Sequence, residues 1–272
     1  MAGRCEPAVL RLLAAHLGVA ASAIVDADLS VADTQPCAIG GALDEFILAP
    51  RLDNLASCYT GLAALTSLDD AFMQDSPDIA VLACFDHEEV GSTSSHGANS
   101  SLIADVMARV LDALAPADAA HVGPDAAQAV YQRSFVLSAD MAHAQHPNYP
   151  AKHEPQHCPR LGGGCVIKTN QNQRYATSAV SGAILREIAR RADNVPVQEF
   201  VVANDVACGS TVGPMIASNT GVRTADVGQP QLAMHSVREM CGVDDVELCF
   251  RLYRAFFMEF RKVDEAFAGV EY

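Results

Sequence analysis

Ile79 to Phe85 is an unbroken apolar run, and it predicts a buried strand. The run stops at Asp86-His87-Glu88-Glu89, followed by Val90-Gly91. Helical apolar spacing recurs over residues 8–17, with Gly18 as a stop, and over 55–68, where Leu55, Tyr59, Leu62 and Leu65 share a face. The same spacing marks 101–114 (Leu102, Val106, Val110, Leu111), more weakly 124–133, and 177–192 (Val180, Ile184, Leu185, Ile188). Strand-like runs cover 134–139, 165–168, 197–203 and 222–227, and Phe46 to Ala49 is a shorter apolar segment. Gly209 to Pro214 opens a helix reaching about 219, and a last long helix spans 244–266. Strands alternating with helices predict an α/β fold whose sheet is covered on both faces. Residues 142–163 carry four histidines and four prolines and read as a long irregular loop, a feature usually tied to function or interaction.

Half of the 272 residues are apolar, enough for one large domain or a domain with a small appendage. A net charge of −15 argues against nucleic-acid binding, which needs a basic face. Apolar runs stay well short of the roughly 18 residues that span a bilayer, so no membrane partner is expected. The N-terminus lacks a charged lead followed by an apolar core, which predicts no secretory leader. Nine cysteines are scattered without a Cys-x-x-Cys pair, which argues against a thiolate zinc site and for reduced thiols in a cytoplasmic setting.

The chemistry gathers at the ends of the predicted strands. In α/β sheets ligands bind beyond the carboxyl ends of strands. Charges placed there need partners, because desolvating them is costly. In the Glu88-Glu89 pair one carboxylate can hold a cation while its neighbour takes a proton from an attacking water. Asp53 follows the Phe46–Ala49 segment, Asp140 follows the 134–139 run, and His235 lies in a loop. Oxygen and imidazole donors suit zinc, manganese or cobalt. Each residue alone has a structural reading as well: Asp53 as a helix cap, Asp140 as a turn residue, His235 as a hydrogen-bonded histidine.

The segments EFILAPRLDNL, DHEEVGS, SADMAHAQHPNYPAKH, GGGCVIKTNQNQRYATSAV, ACGSTVGP and QLAMHSVREM, in this order, resemble the aspartyl aminopeptidases, two-metal exopeptidases. The resemblance runs from about residue 5 to residue 262. It implies a three-layer αβα sandwich of the zinc-peptidase type over residues 46–272. Residues 1–45 are then a remnant of an inserted oligomerisation domain. It implies two zinc ions bridged by Asp53, with Glu89 and His235 on one, Asp140 on the other, and Glu88 as general base. Lys168 is implied as the reader of an acidic N-terminal side chain, a task an ammonium in a partly dry pocket performs well. His143 and Tyr175 are implied as contacts to substrate or ligands, and Gly209 and Ser210 as a substrate-positioning loop. Peptides with an acidic N-terminal residue and a homo-oligomeric assembly are the implied partners.

One departure stands out. Family members carry a further histidine ligand on a strand ahead of the inserted domain. Here the only histidine before Asp53 is His16, on a helix-like segment. Asp53, Glu89 and His235 make a full set for one ion, and Asp53 with Asp140 an incomplete one. Two functions stay open: a metalloaminopeptidase releasing N-terminal Asp or Glu, and a catalytically silent subunit or fragment that binds intact family members. An incomplete gene model is a third explanation. Val9, Leu10, Leu13 and Leu17 are expected to present apolar surface.

Overall fold

The computed structural model describes residues 3–115 and 123–268. The chain falls into two compact units, divided between Thr34 and Gln35. In the first, helix α1 (Pro7–Leu17) starts at Glu6, whose carboxylate accepts the Ala8 N–H. It ends at Gly18, whose positive φ of 66° suits glycine and turns its N–H back to the Ala14 and Ala15 carbonyls. Leu10 and Ala14 bury against Ile24, so Leu10 does not present the apolar surface expected of a domain remnant, whereas Val9 and Leu17 are exposed, as is Leu12.

The second unit opens with strands β1 (Ala38–Gly40) and β2 (Phe46–Ala49), an antiparallel hairpin pairing Ala38 with Leu48. Helix α2 (Leu52–Thr66) follows, then α3 (Asp70–Asp75), started by the Asp69 carboxylate on the Phe72 N–H at 2.7 Å. A single helical turn, α4 (Glu88–Gly91), precedes α5 (Leu102–Ala113) and α6 (Pro124–Arg133). Strands β3 (Phe135–Ala139), β4 (Ala142–His143) and β5 (Cys165–Lys168) lead to α7 (Ala179–Arg191) and β6 (Val197–Phe200). The chain continues through α8 (Gly213–Thr220), β7 (Arg223–Gly228), β8 (Pro230–Leu232), β9 (Glu239–Gly242) and α9 (Val243–Ala266).

Two mixed sheets result, ordered β3-β7-β5-β6 and β1-β2-β9-β8-β4. They join because β3 and β4 run beside β7 and β8: Asp140 N–H donates to Val227 O, and Ala142 N–H to Gln229 O. Side chains alternate across a strand, and the alternation makes this an α/β, three-layer arrangement. Cys165 and Ile167 of β5 and Ala225 and Val227 of β7 pack on α7 and α9 through Ile184, Leu185, Ile188, Leu252 and Val263. Each such Leu or Ile contributes about 1.5–3 kcal/mol by leaving water. On the opposite face of β7, the carboxylate of Asp226 occupies the space a Cβ at Gly213 of α8 would need, so α8 starts against that face.

Caps agree with the pattern. Ser178 and Ser181 form a reciprocal capping box at the start of α7, and Arg190 and Arg191 close its last turn, where cations favour the helix dipole. The strand expected over Ile79–Phe85 does not form. The segment lies without strand pairing among the described residues, with Ile79 and Val81 about half exposed and Leu82 against Gly61 of α2. Apolar content alone predicted a strand, but a strand also needs a ladder partner.

The segment expected to be irregular over 142–163 begins in strand β4, and the remainder is largely irregular but fastened. Glu154 N–H donates to Val201 O, Ala203 N–H to Lys152 O, and the carboxylate of Asp245 accepts the Gly162 and Gly164 N–H groups at 2.7 and 2.8 Å. Among the described residues no helix is long and apolar enough to cross a membrane.

Candidate metal centre

Asp53 lies in the first turn of α2. Its φ of −80° and ψ of 107° are non-helical, so α2 winds properly only after it, and the Asp53–Asn54 peptide is cis. Its N–H is therefore outside the helix ladder and donates to Oε2 of Glu239 at 3.0 Å. His235 lies in the connection between β8 and β9 at a φ of 62°, and its N–H donates to Oε1 of the same Glu239 at 2.9 Å. Glu88 and Glu89 occupy the first turn of α4, set by the left-handed backbone of His87. Asp140 directly follows β3, and its Oδ1 accepts the Met141 N–H.

Three of the four expected ligands converge. Nε2 of His235 is 3.0 Å from Oδ2 of Asp53 and 3.1 Å from Oε1 of Glu89, and one donor atom from each lies within 4.8 Å of the others. They border a cleft of about 370 Å³, together with Arg51, Ser236 and Glu239. The fourth, Asp140, is within side-chain hydrogen-bonding reach of Asp53. The Asp53 carboxyl is pushed up to about 9, first by burial and then by the charges and hydrogen bonds of Asp140 and Glu89. Glu88 also sits above the usual range, through burial and then Asp140 and Glu89, with Lys168 and His235 pulling it back.

Four carboxylates thus crowd one spot, and two oxygen donors and one imidazole nitrogen suit a zinc ion. Asp53, Glu89 and His235 would hold it, and such an ion would relieve the crowding. Among the described residues no second group of three such donors gathers.

The expected substrate contacts lie beside this cluster. Lys168 ends β5 and is 2% exposed; its Nζ donates to Met141 O at 2.6 Å and stands 3.9 Å from Oδ2 of Asp140 and 5.3 Å from the Tyr175 ring centre. Tyr175 is buried edge-on against Phe200, and burial raises its hydroxyl well above the ordinary range. His143, at the end of β4, is held below the ordinary histidine value by surrounding protein atoms and then by Lys168, His153 and His235. Gly209 and Ser210 are on an exposed loop ahead of α8, tied down where Ser210 Oγ donates to Arg174 O.

Three buried carboxylates, Glu239, Asp226 and Asp245, escaped the sequence reading, and the first two bear on the site. Glu239 holds the Asp53 and His235 backbones. Asp226, fully buried on β7 opposite Lys168, accepts from Thr211 Oγ1 at 2.5 Å and the Ala176 N–H at 2.6 Å, so it anchors the loops flanking Tyr175 and Ser210. A signal existed for Asp226: a charge inside a run otherwise suited to a buried strand, where it needs partners. Glu239 had only its place four residues after His235 in QLAMHSVREM.

The α/β sandwich thus carries a convergent carboxylate–histidine cluster of the kind that can hold a divalent metal ion. The chain belongs to the aminopeptidase I zinc metalloprotease (M18) family, whose profile matches residues 2–257. It is similar to a probable aspartyl aminopeptidase of Ricinus communis, 46% identical over 258 residues, covering 94% of this chain and 51% of that protein. The Ape4 chain of a cryo-EM complex with Nbr1 superposes with a TM-score of 0.87 at 40% identity, covering 98% of this chain and 50% of that one. The Saccharomyces cerevisiae mApe1 dodecamer superposes with a TM-score of 0.80 at 32% identity, covering 98% of this chain and 58% of that one. The chain thus spans about half the length of the relatives it matches.

Proposed function

We propose that this chain carries the catalytic centre of a cytoplasmic zinc aminopeptidase that releases N-terminal Asp or Glu from peptides. The observation that supports it most is the meeting of Asp53, Glu89 and His235 within hydrogen-bonding distance, with Glu88 and Lys168 beside them. Bound zinc at these residues supplies Lewis acidity towards water and a peptide carbonyl.

The protein's own groups do the rest. Glu88, its carboxyl raised above the usual range by burial, takes a proton from the attacking water and returns it to the departing amine. Lys168, buried against Tyr175, offers its ammonium to an acidic side chain, where low dielectric strengthens the attraction. His143 and the 209–210 loop border the substrate. Asp140 pairs with Asp53 towards a second ion. The likeness to a dodecamer supports assembly of this chain with copies of itself.

A second reading follows from the absence of another three-donor group among the described residues. In that reading the chain binds one ion, turns over slowly or not at all, and acts as a silent subunit among intact relatives. Release of aspartate from an Asp-peptide by the purified zinc-loaded chain separates the two: turnover supports the enzyme, and zinc binding without turnover supports the subunit.

A further inference from the structure

We propose that Glu239 is a positioning residue of the metal centre, a buried carboxylate that fixes the spacing between Asp53 and His235. This rests on the metal-site reading above and adds to it a residue that would touch neither ion nor substrate.

The argument begins with two orphan donors. The Asp53 N–H is outside the α2 ladder because its backbone is non-helical, and the His235 N–H belongs to a residue at positive φ between two strands. A buried N–H without an acceptor is costly. Both turn to Glu239, which is 2% exposed: Oε2 accepts Asp53 at 3.0 Å and Oε1 accepts His235 at 2.9 Å. Nε2 of Gln231 reaches Oε1 from 3.4 Å. Glu239 can do this because it opens β9 opposite Ala49, the last residue of β2, and follows His235 by four residues.

One planar group therefore sets the distance between two backbones that reach the centre from different strands. Their side chains meet, with Nε2 of His235 3.0 Å from Oδ2 of Asp53. Only a carboxylate offers two acceptors in this fork; glutamine turns one into a donor facing an N–H. Outer-shell partners of metal sites typically act on affinity by about 10–100-fold, and a group that fixes two ligands belongs in that range.

The test compares the chain with Glu239→Gln. Zinc affinity is read by competition with a chelating dye, and the visible spectrum of bound Co²⁺ reports ligand geometry. The expected result is one zinc bound by the unsubstituted chain, affinity lower by about 10–100-fold in the variant, and an altered Co²⁺ spectrum. Equal affinity and an identical spectrum, with only a lower denaturation midpoint, would leave Glu239 a structural acceptor and overturn the proposal. No zinc binding by the unsubstituted chain would instead overturn the metal-site reading, and this one with it. If Glu239→Gln does not fold, amide exchange on the unsubstituted chain decides. Zinc should slow the Asp53 and His235 amides by a similar factor, and protection of one alone would overturn the proposal.

Discussion

The ammonium of Lys168 stands 3.9 Å from Oδ2 of Asp140, so the residue proposed to read the substrate is also paired with a proposed ligand. Lys168→Leu is therefore expected to act twice. Selectivity for Asp over Leu at the peptide N-terminus should collapse, and Met141 O, now without its donor, should cost about 1–3 kcal/mol of stability. Paired kcat/KM values for the two peptides, with a denaturant titration, measure both. Unchanged selectivity would remove Lys168 from the recognition site.

Glu88→Gln is expected to lower turnover by about 10²–10⁴-fold while zinc affinity stays near that of the unsubstituted chain. Glu88 is next to a proposed ligand but outside the three-donor group. Equilibrium dialysis and peptide hydrolysis on the same sample check it. A parallel loss of zinc would make Glu88 a ligand instead of a base.

His235→Ala should weaken zinc binding by at least the 10–100-fold typical of outer-shell losses, because it removes one of three donors directly. The chain itself should bind one zinc tightly and a second weakly. Two tight ions per chain by dialysis would mean that a further ligand completes the Asp53–Asp140 side.

Asp245 should give the fold a pH dependence away from the metal centre. Burial raises its carboxyl from 3.8 to about 6, although the N–H groups of Gly162, Gly164 and Gly242 pull it back. A raised folded value means that the native state holds the proton more tightly than the unfolded chain. Its stabilising contribution is full below about pH 4 and is lost as pH rises through about 6. The shift corresponds to about 3 kcal/mol. Followed from pH 4 to 7, the denaturation midpoint of the chain should fall relative to that of Asp245→Asn, which does not titrate; a constant difference would contradict the assignment.

Gly228→Ala should disturb the end of β3. A Cβ there would fall 1.6 Å from Asp140 O, and that neighbour is backbone, which yields only by moving Asp140. A loss of about 1–3 kcal/mol or more is expected from such overpacking. Thermal denaturation with and without zinc measures it.

Helix α7 and the central strands were legible because a packed face imposes its period on the sequence, whereas Leu55, Tyr59 and Leu62, whose spacing marked α2, are exposed. Ile184, Leu185 and Ile188 of α7 and the apolar residues of β5 and β7 bury in one core. The sheet carrying β8 and β9 was not, because its strands are three and four residues long and include Gln231 and Glu239, which are buried as hydrogen-bonding partners. Ile79–Phe85 misled for the opposite reason: its residues suit a strand, but pairing depends on what lies alongside. Asp53, Glu89 and His235 could be named from motifs, whereas Glu239 acts through backbone N–H groups, and no side-chain pattern marks an acceptor of that kind.

The fastening of residues 144–163 bears on what a protease would reveal. This segment has many prolines and histidines and runs over the surface, so it offers places to cut. Yet it is held by Val201 and Ala203 at its middle and by Asp245 at its far end. A nick between these anchors would leave two pieces still clasped by the sheet and by α9. They would travel as one particle through a sizing column and part only in denaturant, so an intact elution profile would not mean an intact chain.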